Sequence, residues 1–84
     1  MEIRLEKIDP ASNCFRFYVI RSEPDLFAGA ALVVQWGRIG RTGRTAIRGS
    51  GPPDQMALMT QRLVRLRLHR GYVQVPVTPT GAAP

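Results

Sequence analysis

Only one stretch of this chain, from Asp54 to about Arg70, sets apolar residues at helical spacing. What precedes it alternates with a period of two and is cut by turn residues. A chain with one helix and several short strands can bury that helix only against the sheet the strands form. Its 84 residues give room for one such domain and no second. Chains of this size bury roughly 60% of their unfolded surface, so one helix on one sheet is the largest core to expect. The expected fold is α+β, a small antiparallel sheet of four to five strands with one long helix packed against it. It should occupy residues 1–75, with a disordered C-terminal tail over 76–84.

The elements follow from the pattern. Ile3, Leu5 and Ile8 alternate loosely with charged residues and lead into the turn residues Asp9 to Asn13. In the second strand Phe15, Phe17 and Val19 share a plainly buried face, while Arg16, Tyr18 and Ile20 form a mixed one. Glu23-Pro24-Asp25 breaks it. Ala30 to Trp36 is an apolar run fit for a central strand, and Gly37, Gly40 and Gly43 after it predict a Gly-rich hairpin into a fourth strand over Arg44 to Arg48. Asp54 is the expected N-cap of the helix and Gly71 its C-cap. Met56, Met59, Leu63 and Leu66, widened by Val64 and Leu68, form the expected core stripe. Arg62, Arg65 and His69 form a separate polar one. Arg67 falls inside the apolar arc and has to snorkel. Tyr72, Val73 and Val75 suggest a last short strand. Beyond Val77 the small residues and prolines offer nothing to pack, so that tail is expected to be dispensable for stability.

Charge narrows the partners. Twelve basic residues, eleven of them Arg, stand against six acidic ones, for a net +6. Up to Val33 four bases meet five acids; from Val34 onward eight arginines meet Asp54 alone. The second half therefore carries the electrostatics, and an anionic partner is expected. A single cysteine cannot close an intrachain disulfide, which suits a reducing cytosol. No segment resembles a signal peptide or a bilayer span, so the expectation is a cytoplasmic protein, nucleoid-associated if it binds DNA. A membrane-surface helix would be expected to use lysines, and Lys7 is the only one.

Catalysis finds few parts. One Cys and one His, 55 positions apart, cannot make a Cys/His metal site. His69 has arginine neighbours and no carboxylate to orient it, and the second half lacks paired carboxylates. The reading is a non-enzyme with no cofactor, no metal and no small-molecule substrate. The segment Gly37-Arg38-Ile39-Gly40-Arg41-Thr42-Gly43-Arg44-Thr45 matches no phosphate-loop pattern and joins two strands instead of opening a helix. It does set Arg38, Arg41, Arg44 and Arg48 among small residues behind Trp36. Glycines admit a phosphodiester backbone, arginines grip its phosphates bidentately, and an indole stacks on a base or sugar. Trp36 also reads as a core aromatic, Arg38 as a salt-bridged structural arginine, and the Arg62/Arg65 stripe as a solvated helix face.

Trp36-Gly37-Arg38, continuing as Ile39-Gly40-Arg41-Thr42-Gly43, resembles the signature of the WGR domain. Asp9 to Asn13, Arg16-Phe17-Tyr18, Asp25-Leu26-Phe27, Leu32-Val33 and Arg70-Gly71-Tyr72 look, in order, like further blocks of its short bacterial members. The resemblance covers about Asp9 to Val73 and implies the same α+β fold. In poly(ADP-ribose) polymerases that carry it, this domain binds DNA at breaks near the 5′ end and relays the event to a catalytic domain. It implies that Trp36 contacts the terminal nucleotide, Arg38 a backbone phosphate and Tyr72 a phosphate. An asparagine that helps hold the 5′ phosphate in some of those enzymes directly precedes the Lys/Arg-aromatic-Tyr block; here that place is Phe15, and Asn13 is two positions away. The 84 residues leave no room for a catalytic domain beside this one, so any signalling role is expected to act in trans or to be absent. The candidate DNA-binding residues are Trp36, Gly37, Arg38, Arg41, Arg44, Arg48, Arg62, Arg65 and Tyr72, with RNA as the other nucleic acid and a protein-protein adaptor as the competing function.

Overall fold

Five strands form one antiparallel sheet in the computed structural model, which describes residues 1–77. Strands β1 (Glu2–Asp9), β2 (Cys14–Asp25), β3 (Gly29–Arg38) and β4 (Arg44–Gly51) run as a meander. Helix α1 (Pro53–His69) then crosses one face and delivers β5 (Val73–Val75) beside β1, giving the order β4-β3-β2-β1-β5. The first connection is a single 3-10 turn over Pro10–Ser12, closed by Asn13 at φ 49°, a left-handed backbone that Asn tolerates better than most residues. At the second, the Asp25 carboxylate accepts the Phe27 and Ala28 N–H groups at 2.9 and 3.2 Å, the Asx arrangement typical of turns. That turn leaves Leu26 and Phe27 fully exposed.

Register decides which side chains meet the helix. Leu5 pairs with Tyr18, Ile3 with Ile20 and Tyr18 with Trp36, so these residues, with Val34, Leu32 and Ala30, share the helix face. Met56 and Tyr72 complete that core, and Ile3, Trp36, Met59, Leu63 and Val64 pack around it. The mixed face of β2 is thus the one beneath the helix. The Phe15-Phe17-Val19 face looks away from the helix, yet Phe17 and Val19 are buried there too. Long polar side chains do the covering: the Arg4 guanidinium lies 4.9 Å from the Phe17 ring centroid, and Arg21 reaches across to Gln35 Oε1 at 3.3 Å.

The helix departs from expectation at three places. It starts at Pro53, with Pro52 as cap and no side-chain capping bond, so Asp54 is a first-turn acid and not the N-cap; proline suits that first position because its missing N–H would have no partner there. Leu66 and Leu68 are exposed, and the buried line runs through Met56 and Thr60 instead. Thr60 can lie there because its hydroxyl donates to the Met56 carbonyl at 2.8 Å. The third departure is at the C-terminal end, where the Tyr72 N–H bonds the Arg67 carbonyl and the Gly71 N–H the Leu68 carbonyl, both near 3 Å. This is a Schellman closure with Arg70 as the cap and Gly71, at φ 94°, one place beyond it. It folds Tyr72 back against the last turn. The tail expectation lies outside the described residues from 78 onward.

Candidate nucleic-acid interface

The end of the sheet where β2 begins and β3 finishes is cationic on the helix side. Arg16 and Arg38 pair across the two strands, on the same face as Tyr18 and Trp36. Arg67 comes over them from α1. Its guanidinium carbon sits 4.0 Å from the Tyr18 ring centroid and 5.5 Å from that of Tyr72, and the two tyrosines meet edge to face at 6.5 Å. Each ring offers its negative π-face to the cation. Arg67 Nε is nonetheless buried without a hydrogen-bond partner. Arg16, Arg38, Arg67 and Tyr72, with Asn13, Phe15, Phe17, Trp36 and Gly37, line a cavity of about 380 Å³.

No carboxylate lines it. Arg38 donates to Asn13 Oδ1 at 3.2 Å and lies 5.1 Å from the Phe15 ring centroid, so its charge is held by neutral groups. Among the described residues the ion pairs are Arg4 with Glu6 and Arg21 with Glu23, none at this cavity. The reading of Arg38 as a salt-bridged structural arginine therefore finds no acid. Arg16 and Arg38 are exposed and Arg67 half-buried; like charges set together repel one another, and an anion placed among them would relieve that repulsion.

Trp36 is half-buried. It packs on the core rim and also lines the cavity, with the Arg48 guanidinium 5.2 Å from its ring centroid. A bulge brings Arg48 there: Val33 pairs with Ile47 but Leu32 with Gly49, leaving Arg48 as the extra residue turned toward the indole. The glycines hold the strand ends together. Gly43, at φ 73°, sits so close to Trp36 that a Cβ there would overlap the Trp36 carbonyl oxygen and come within 3.0 Å of the Phe17 ring. Gln35 ties the loop down by donating to the Thr42 carbonyl at 2.6 Å.

Of the nine candidates read from sequence, Trp36, Gly37, Arg38 and Tyr72 line the one cavity, and Arg48 stacks on its tryptophan. Arg41 and Arg44 are exposed at the β3–β4 hairpin. Arg62 and Arg65 lie on the exposed side of α1 with Leu66 and His69, away from the cavity. Sequence reasoning missed Arg16, Arg67 and Asn13 as members of the site. The signal for Arg67 was present, a lone cation centred on an apolar helical arc.

Among the described residues no helix is long and apolar enough to cross a membrane, and no three His, Cys, Asp or Glu side chains cluster as a metal site would require. The family model of the WGR domain matches residues 1–78. A curated relative, "Uncharacterized protein y4dW" of Sinorhizobium fredii, is 33% identical over 75 residues, which is 89% of this chain and 37% of the relative. The chain thus spans little more than a third of that relative's length. No solved structure matches.

Proposed function

The chain belongs to the WGR domain family, whose members in general bind nucleic acids and are not catalytic, and on that footing we propose that it is a DNA-binding module that prefers ends or breaks. The observation that carries this reading is the convergence of Arg16, Arg38 and Arg67 with Trp36 and Tyr72 on a cavity lined by no carboxylate. Guanidinium forks hold phosphate oxygens bidentately, and the indole supplies a stacking surface for a terminal base or sugar.

Titration of labelled blunt, 5′-phosphorylated, nicked and closed circular DNA at several salt concentrations tests it, with an RNA of matching sequence as a further arm. If about three to five phosphates are neutralised, log K against log salt should fall by roughly 0.9 per phosphate on duplex DNA. Arg38→Lys keeps the charge and loses the fork, so it should lower the preference for ends and leave binding to closed circles nearly intact. Arg62→Ala or Arg65→Ala should weaken every form alike. A flat salt response, or no binding at low salt, refutes the reading. One observation would then favour an adaptor: Leu26 and Phe27 stand fully exposed at the opposite end of the β2–β3 hairpin, where apolar side chains suit a protein surface.

A further inference from the structure

A second hollow adjoins the first. Lys7, Cys14, Arg16, Arg67, Arg70 and Tyr72 line about 320 Å³ beyond the cavity just described. Arg16, Arg67 and Tyr72 are walls of both, so the two are neighbouring compartments of one groove. Their linings differ in kind. The first holds Trp36, Phe15 and Phe17 among its arginines and suits a nucleoside with its phosphate. The second offers four cations and, apart from Tyr72, no aromatic ring. Its one ring, Tyr72, already lies against Arg67 and Tyr18, so the lining suits phosphate better than a base.

The backbone fixes where these cations stand. Lys7 pairs with Arg16 across β1 and β2, which puts both on the helix face. The Lys7 stem lies along Gly71, its Cε 3.4 Å from where a Cβ would be. A side chain at position 71 would touch that stem at ordinary van der Waals distance, and the left-handed backbone there, φ 94°, is what favours glycine. Arg70 is the helix cap itself. No carboxylate lines this compartment either, and neither Lys7 nor Arg70 forms an ion pair among the described residues.

We propose that Lys7, Arg16, Arg67 and Arg70 form a second phosphate subsite, which takes a further phosphate group of the same strand end whose terminal nucleotide occupies the Trp36–Arg38 cavity. The inference rests on the nucleic-acid reading above. The second phosphate has two sources: the next phosphodiester of the strand, or the outer phosphates of a 5′-polyphosphate terminus. Lys7 and Arg70 are specific to this subsite, since neither lines the first cavity.

The test uses the full chain and labelled oligonucleotides of one sequence ending in 5′-hydroxyl, 5′-monophosphate or 5′-triphosphate, titrated by fluorescence anisotropy at several salt concentrations. Lys7→Gln with Arg70→Gln is compared with the parent and with Arg21→Gln, which removes a charge from the opposite face of the sheet. Thermal melts verify that each variant is folded. The double variant should bind several-fold more weakly, with a salt slope shallower by about one per lost phosphate contact, and should keep the parent's preference for monophosphate over hydroxyl. A loss equal for all three ends identifies the next phosphodiester; a loss confined to the triphosphate identifies the outer phosphates. The subsite is overturned if the double variant binds like the parent, or if Arg21→Gln causes the same loss. A parent chain that binds none of the three overturns the nucleic-acid reading and the subsite together, whereas a parent that binds and discriminates ends, beside an unaffected double variant, overturns the subsite alone.

Discussion

Replacing Arg67 with Met should make the protein more stable and a poorer binder at once. Arg67 occupies the centre of the helix face that packs on the sheet, in line with Met56 and Thr60, and its Nε is buried without a partner. Leaving such a donor unsatisfied costs about 1–3 kcal/mol. Against this stands the attraction of the guanidinium for Tyr18 at 4.0 Å and Tyr72 at 5.5 Å, worth about 0.5–2 kcal/mol in partly desolvated surroundings. Methionine keeps the stem's volume, removes the orphan donor and sets a thioether against the same rings, which returns about 0.3–1.5 kcal/mol. The balance favours the variant by about 1 kcal/mol, which for a domain of this size raises the melting temperature by roughly 4–8 °C. Circular dichroism melts measure that shift. Salt-dependent titration of a DNA end measures the other half: affinity should fall, with a slope shallower by about one unit. Opposite signs in one variant mark a residue kept for binding at the expense of stability. A melting temperature lowered by several degrees would refute the reasoning, because Arg67 would then be a structural pin.

Two further substitutions probe the scaffold around the cavity. Gly43→Ala combines a left-handed backbone with a clash on the Trp36 carbonyl, so it should cost more than about 1 kcal/mol; it should also change the fluorescence of Trp36, the only tryptophan. A melt and an emission spectrum indistinguishable from the parent's would mean the hairpin is not held as described. Met56→Ala should cost about 2–5 kcal/mol and Leu66→Ala under about 1 kcal/mol, because Met56 is 5% exposed and Leu66 42%; equal losses in urea denaturation would mean that the helix is rotated.

The sequence made the strands, the glycine hairpin and the helix legible, because each rests on a local period or a turn residue. It left open which face of β2 the helix takes. Both faces alternate apolar side chains, and Tyr18, read as part of a mixed face, buries its ring beneath the helix beside Tyr72. Leu66 fits the apolar spacing but lies about a quarter turn from the buried line of Met56 and Thr60, on the side of Arg62, Arg65 and His69. The helix instead turns Thr60 and Arg67 inward, one satisfied by its own backbone and the other lying over aromatic rings. Of the site, the Trp36-Gly37-Arg38 corner was readable as a contiguous motif. Arg16, Arg67 and Asn13 were not, since they join it only through strand register and the crossing of the helix. Nothing in the chain's linear order sets Arg38 beside Asn13, 25 residues earlier.

The place of β5 bears on how such a module can be joined to others. Arg4 lies opposite Val75 and Glu6 opposite Val73, so β1 enters and β5 leaves side by side, both on the end of their ladder away from Lys7 and Arg70. The chain therefore enters the sheet at Glu2 and leaves it at Val75 on one side, at the far end of this ladder from the compartment that Lys7 and Arg70 line. A domain whose first strand enters beside the exit of its last can be spliced into a longer protein like a bead on a string, oriented by its linkers and requiring no rearrangement of its own strands. The relative from Sinorhizobium fredii, of whose length the match covers 37%, is a chain in which such an arrangement would have use.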